Sequence, residues 1–179
     1  MKADALCISP DNRSFRYGDG FFETMKMIGG KIILSDMHFE RLFSSLALMK
    51  FEQPKLFTRE NLSHQIHELA EKNNHLKLAR IRFTIFRGNG GLYDAVSNKP
   101  HYIIQSWHMS EANNQLNENG LSIGIYPDAK KNCDTFSHIK SNNYLPYLMA
   151  ALWAKENKLN DALVTNAYGR FADATIANI

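Results

Sequence analysis

A pair of adjacent glycines sets the tightest early constraint on this chain. Between Phe21 and Leu34 the sequence runs FFETMKMI, Gly29-Gly30, KIIL. Two apolar runs split by a Gly-Gly pair are the pattern of a β-hairpin, because the tight turn needs positive φ and glycine supplies it at no steric cost. A lone hairpin is marginal in water and needs a cover for its apolar side. The next residues offer one. Ser35 or Asp36 is placed to cap a helix in which Phe39, Leu42, Phe43 and Leu46 fall at i, i+3, i+4 and i+7, giving one apolar face. Thr58 opens a second helix, with Leu62, Ile66, Leu69 and Ala70 inward and Lys72-Asn73-Asn74 at its end. Arg80 to Arg87 then alternates apolar with polar at the strand period, Gly88-Asn89-Gly90-Gly91 closes it with a turn, and His101 to His108 is expected as the paired strand.

From Ser110 to Gly120 the composition shifts to SEANNQLNENG, with Ala112 and Leu116 its only apolar side chains, and reads as an exposed linker. The pattern then restarts. A strand is expected over Leu121–Tyr126, a polar loop over Asp128–Asp134, a helix from about Asn143 and a strand over Ala162–Asn166. Tyr168-Gly169-Arg170 turns the chain into a last strand from Phe171. The reading gives an N-terminal α/β lobe over residues 1–109, a linker over 110–120 and the front part of a second lobe over 121–179. One helix and three short strands cover little core, so that second lobe reads as unfinished.

Composition narrows the function classes. The 179 residues are 44% apolar and 22% charged, which fits a globular chain and not a disordered one. Twenty-one basic against 18 acidic residues leave a net charge of +3, and no Lys/Arg stripe interleaves with aromatics, so nucleic acid is not an expected partner. The longest apolar run, Tyr147–Ala154, is far short of the ~18 residues a membrane span needs. The N-terminus carries no apolar signal region. Cys7 and Cys133 are isolated thiols, which fits a reducing, cytoplasmic setting. The last residues, Ala174 to Ile179, form an apolar stretch with no polar tail or helix stop.

Few residues suggest chemistry by themselves. Lys140, in HIKSNNYLP just ahead of a helix with Leu145, Leu148, Met149 and Leu152 on one face, is either a solvated loop lysine or an amine nucleophile. A helix N-terminus nearby disfavours the ammonium form, as a nucleophile requires. Asp173 lies on a strand among Phe171, Ala172 and Ala174, and either faces water or has a cationic partner. Arg41, within His38-Phe-Glu-Arg-Leu42, is a solvated helix residue loosely paired with Glu40, or a bidentate phosphate ligand. Gly88–Gly91 lacks the lysine, serine and helix of a P-loop and reads as a hairpin turn. His64 and His67, at i and i+3 without an acidic or Cys partner, read as surface residues, so no metal site is expected.

Four blocks in order resemble the class IV aminotransferases, the pyridoxal-phosphate enzymes of fold type IV. That group includes branched-chain aminotransferases, D-amino-acid aminotransferases and aminodeoxychorismate lyases. Arg16-Tyr-Gly-Asp-Gly-Phe-Phe-Glu-Thr24 is similar to the family's YGDGxFET segment, and His38–Leu42 to its HxxRL helix. Ile139-Lys-Ser-Asn-Asn-Tyr-Leu145 is similar to its KxxNYL segment, and Asn166–Asn178 to its NxxGxxxExxxxN segment. The resemblance implies an α+β, two-lobe fold of the D-amino-acid-aminotransferase type: a small α/β N-terminal lobe and a larger C-terminal lobe, truncated here. It implies pyridoxal 5′-phosphate held by Lys140 as a Schiff base, Arg41 on the phosphate, Tyr144 on the ring hydroxyl and Asp173 on the pyridinium nitrogen. Asp173 stands where the family usually has Glu, one methylene longer, so the strand sits closer or the contact is weaker. Backbone amides beyond residue 179 would complete the phosphate site.

Tyr17 and Phe22 match positions that line the substrate pocket in relatives, with core aromatics as the alternative reading. Leu92 stands about where D-amino-acid aminotransferases and the lyases carry a carboxylate-binding Arg, which counts against a D-amino-acid trap of that design. The expected function is therefore a cytoplasmic, homodimeric aminotransferase acting on a hydrophobic or branched-chain amino acid and a 2-oxo acid. The alternatives are an aminodeoxychorismate lyase forming 4-aminobenzoate with the same lysine, and a fold relative with an incomplete site.

Overall fold

Alternation along β3 (Leu78–Arg87) builds the centre of the first sheet, with Ile81, Phe83 and Ile85 turned inward and fully buried. The structure is a computed structural model that describes Ala5, residues 7–177 and Ile179, apart from the side chains of Asn113 and Asn114. Asn178, the end of the fourth block, lies outside the described residues. Contacts divide the chain into residues 1–113 with 139–142, and residues 114–138 with 143–179.

In the first unit β1 (Gly20–Ile28) pairs antiparallel with β3 from Gly20↔Phe86 to Ile28↔Leu78. β4 (Pro100–His108) pairs on the other side of β3, and β2 (Lys31–Ile32) adds at the edge, giving the order β2-β1-β3-β4. The Gly29-Gly30 hairpin forms, with φ values of 54° and 75° at the turn. Its second arm is only two residues long. Leu34 takes a left-handed conformation at the N-cap of α2 (Ser35–Leu48), without a side-chain cap bond. Neither Ser35 nor Asp36 therefore caps α2. Both lie inside its first turn, where Asp36 favours the positive end of the helix dipole and pairs with Arg59. α3 (Arg59–Lys72) begins as read, with Thr58 Oγ1 accepting from the Asn61 N–H at 3.3 Å.

Phe39, Leu42 and Leu46 of α2 and Leu62, Ile66 and Ala70 of α3 meet the buried face of the sheet in one core. Each large aliphatic side chain buried there contributes about 1.5–3 kcal/mol of transfer free energy. A further short helix, α1 (Arg13–Tyr17), lies where the sequence shows no helical periodicity. It is held by its caps: Asn12 Oδ1 accepts from the N–H groups of Ser14 and Phe15 at 2.9 and 3.2 Å, and Gly18 closes it with φ 69°. Arg13 is buried, pairs with Asp19 at 2.7 Å and donates to the carbonyls of Gly91 and Leu92. The Gly88–Gly91 segment is thus not a tight hairpin turn but the start of a connection over residues 88–99, with isolated bridges Asn12↔Asn89 and Gly90↔Ala95, fastened by a buried guanidinium.

The second unit contains β5 (Ile123–Lys131), α4 (Leu145–Glu156), β6 (Asp161–Asn166) and β7 (Phe171–Ala174). Its sheet has the order β5-β6-β7, parallel between β5 and β6 and antiparallel between β6 and β7. Its first strand is longer than expected. After an irregularity between Ile125 and Lys130 it resumes pairing with β6 through Lys131, so Lys130 and Lys131 belong to the strand and not to a polar loop. Pro127 falls inside that irregularity, where a missing N–H costs no ladder bond. The core of this unit is small: Tyr126, Ala150, Ala154, Ala162 and Val164. Among the described residues, no helix is long and apolar enough to cross a membrane.

Candidate active site

The segment bearing Lys140 is fixed by β1. Lys140 O accepts from Phe22 N–H at 2.9 Å, Asn142 N–H donates to Gly20 O at 2.9 Å, and Ser141 bridges to Phe21. Gly20 permits that approach: a Cβ there would lie 2.6 Å from Asn142 Nδ2 and against the carbonyl of Ile85. Asn142 Nδ2 donates to Ser14 Oγ at 2.9 Å, fastening the segment to α1 as well. The N-cap of α4 is Tyr144, so Lys140 is not part of that helix's first turn. Its setting in the first unit is the Phe22 ring, whose centroid lies 4.9 Å from Lys140 Nζ.

Phe22 is 3% exposed, yet its ring meets cations as well as core. The Arg82 guanidinium stands 3.7 Å from the same centroid, so Lys140 and Arg82 both meet one aromatic ring. Arg82 is absent from the sequence-based candidates because the alternation of β3 marks it only as an outward polar position. Register supplies the missing signal, since Thr24 opposes Arg82 and Phe22 opposes Thr84. Tyr17 is exposed on α1, with Arg13 and Arg16 over its ring at 5.8 and 5.5 Å.

Arg41 is only partly exposed and pairs with Glu23, not with Glu40. Its Nε and Nη2 each donate to Glu23 at 2.6 Å, one to each carboxylate oxygen, and His38 Nδ1 lies 2.8 Å from Oε2. The Glu23 side chain is 1% exposed. Burial acts to raise its pKa, but hydrogen bonds from Arg41 and then His38 outweigh burial and hold it below the usual carboxylate value. The same bonds raise the pKa of Arg41.

In the second unit, β7 presents Asp173, whose Oδ2 accepts from Lys131 Nζ and from Tyr147 OH, the latter at 2.7 Å. Burial, then the bond to Asp173, pushes the Tyr147 phenol well above its ordinary value. Tyr144 stacks on Tyr147 with centroids 4.7 Å apart and donates its OH to Thr175 O at 2.8 Å. Asp173 and Tyr144 are thus joined through Tyr147. Lys131 and Tyr147 both bind the same oxygen of Asp173, Oδ2.

Each unit, taken by itself, carries donors of the chemistry that pyridoxal phosphate takes. The first unit supplies a primary amine beside an aromatic ring and a guanidinium with an edge not used by Glu23. The second, taken by itself, holds a carboxylate fixed through Oδ2 and a phenol.

A match to the amino-transferase class IV family model over residues 20–179 places the chain in that family. A provisionally named branched-chain-amino-acid aminotransferase of Methanocaldococcus jannaschii is 26% identical over 175 residues, covering 96% of this chain and 59% of that relative. The chain spans about three-fifths of the length of that relative. Its fold matches a Legionella pneumophila crystal structure provisionally described as a 4-amino-4-deoxychorismate lyase, with TM-score 0.81 and 22% identity over 97% of this chain and 62% of that one. It also matches the PLP-bound form of a hypothetical aminotransferase from Mycobacterium tuberculosis, with TM-score 0.73 and 16% identity over 98% of this chain and 62% of that one. The expected α+β fold class is therefore the one found, as two mixed α/β units with separate sheets.

Proposed function

We propose that the protein is a pyridoxal-phosphate-dependent aminotransferase moving an amino group between a hydrophobic or branched-chain amino acid and a 2-oxo acid, as a cytoplasmic homodimer. The observation that carries this reading is the setting of Lys140: its backbone is tied to β1 at Phe22 and its amine lies over the Phe22 ring. A lysine held in this way has a fixed reach, unlike a loop lysine free to turn to water.

Lys140 would hold the cofactor through its Nζ, and the same amine would take the proton from the substrate Cα. The pyridine ring, when bound, supplies the electron sink for the carbanion left at Cα. Asp173, with Oδ2 anchored by Lys131 and Tyr147, would hold the ring nitrogen. Tyr144 serves the ring hydroxyl and Arg41 the phosphate. Arg82, over the same Phe22 ring as Lys140, would offer a guanidinium to the substrate carboxylate. Phe22 has the stronger claim to the substrate pocket, being buried beside Lys140, whereas Tyr17 is exposed.

Purified full-length protein mixed with pyridoxal phosphate should show the visible absorbance of a lysine-bound cofactor, and borohydride should fix it. Lys140→Ala should abolish that band; an unchanged spectrum in this variant sinks the assignment. The likeness to a provisionally described lyase supports a second reading, elimination from aminodeoxychorismate by the same lysine. Keto-acid formation dependent on 2-oxoglutarate identifies the transaminase, and pyruvate release from aminodeoxychorismate the lyase. Stoichiometric binding without turnover in either assay would favour a fold relative that binds without catalysis.

A further inference from the structure

We propose that Glu23 is a positioning residue: it holds one edge of the Arg41 guanidinium so that the other edge is presented to a phosphate group. The proposal rests on the reading of Arg41 as the phosphate ligand and adds to it the device that aims it.

A guanidinium has five N–H donors in a rigid planar fork. Glu23 engages the side edge, Nε and Nη2, one donor to each oxygen. The opposite edge, Nη1 with the second hydrogen of Nη2, is a second fork that matches two oxygens of a phosphate. The arginine side chain is 39% exposed and the glutamate side chain 1% exposed. The buried edge of the ion pair is thus closed, while its outer part can still be reached.

Glu23 is itself fixed. Oε1 accepts from Arg41 Nε, and Oε2 accepts from both Arg41 Nη2 and His38 Nδ1. Because an ionised carboxylate can only accept, His38 Nδ1 carries the hydrogen. Three bonds to two oxygens set the plane of the carboxylate and, through it, the plane of the guanidinium. His38 and Arg41 are three residues apart on α2, the spacing that puts both on one face, and both meet a single carboxylate on β1. The second motif block is therefore built to meet the Glu of the first. A Glu placed for stability alone has a poor warrant, since an apolar residue of similar volume commonly replaces a buried ion pair without loss.

The test compares pyridoxal phosphate with pyridoxal, which differ only in the phosphate ester. Dissociation constants for each are measured by absorbance titration of the full-length protein, with inorganic phosphate as a competing ligand of the unloaded protein. Glu23→Gln keeps shape but not charge. It should lower the preference for the phosphate ester by about tenfold, weaken inorganic phosphate in step, and leave pyridoxal within about twofold. Glu23→Asp should fall between Glu23→Gln and the wild type. Equal loss for both cofactor forms, or no loss, overturns the proposal. Where Glu23→Gln fails to fold by its thermal melt, Glu23→Asp decides, and an unchanged preference there overturns it. Arg41→Ala separates the two readings. If it too leaves the preference intact, the phosphate role of Arg41 is lost and Glu23 with it. If it removes the preference while Glu23→Gln does not, only the positioning role is lost.

Discussion

Helices with similar apolar spacing meet opposite fates in the two units. In α2 and α3 the apolar faces, Phe39, Leu42 and Leu46 with Leu62, Ile66 and Ala70, are buried against the first sheet. In α4 the residues Leu145, Leu148, Met149 and Leu152 are 43–62% exposed. That helix packs instead through Ala150 and Ala154, with Tyr147 and Trp153 partly buried beside them. Small side chains let the backbone approach the strands closely, and the leucine side is left facing outward. Periodicity thus shows that a helix has an apolar face. Whether that face is the one buried depends on which side the neighbouring strands occupy.

The first way to break this comparison is to cut the core of the first unit. Leu42→Ala and Ile81→Ala remove side chains with no exposed surface, and each should cost about 2–5 kcal/mol in denaturant unfolding of the first unit. Loss near the lower bound of that range would mean the site collapses easily and that the first core is looser than its burial indicates.

The second unit, with its small core, leans more on polar fastening. Asp161 Oδ1 accepts from the N–H groups of Ala162 and Thr175, at 2.7 and 3.2 Å, and from the Thr175 hydroxyl. Asp161→Ala leaves those buried donors unpaired and should cost about 1–3 kcal/mol. Hydrogen exchange read at β6 and β7 separates this from any effect on the first unit. No change in protection there would show that water or another group already serves those donors.

How much of this was legible in the sequence follows from the range of each interaction. α2 and α3 show in the pattern because their burial obeys a local period and Thr58 caps one of them. α1 does not, because five residues carry no period and only the Asn12 and Gly18 caps mark it. The far half of β5 is hidden by polar residues, since pairing through Lys131 depends on a partner strand and not on hydropathy. The motif blocks identify Lys140, Arg41, Tyr144 and Asp173 as candidates, but not the groups that hold them. Glu23 reaches Arg41 across 18 residues of sequence, and Lys131 reaches Asp173 across 42, so those pairs exist only once helix has packed on sheet and strands have come together. Tyr17 and Phe22 look equivalent as motif aromatics, yet the fold exposes one and buries the other.

A pH series sharpens the contrast at the first unit's buried carboxylate. The folded pKa of Glu23 lies below its unfolded value of about 4.3, because its hydrogen bonds to Arg41 and His38 outweigh burial. Its contribution to stability is therefore fully present above that value and is lost as the pH falls through the folded pKa. Wild type should lose stability more steeply with acid in this window than Glu23→Gln, which has no carboxylate to protonate. Equal slopes would show that other carboxylates dominate acid unfolding.

The smallest expected effect bears most directly on the comparison. Leu148→Ser places a hydroxyl on the outward side of α4, where the native side chain is 54% exposed. A substitution at such a site should change stability by no more than about 0.5 kcal/mol, set mainly by the lower helix propensity of serine. The same change at Ile66, fully buried on α3, would instead strand a polar group in the core. If Leu148→Ser costs as much as a core truncation, that side of α4 is covered in solution, and the two units do not differ as their surfaces indicate. A loss that deepens on dilution would identify the cover as a second copy of the chain, because association alone makes apparent stability depend on concentration.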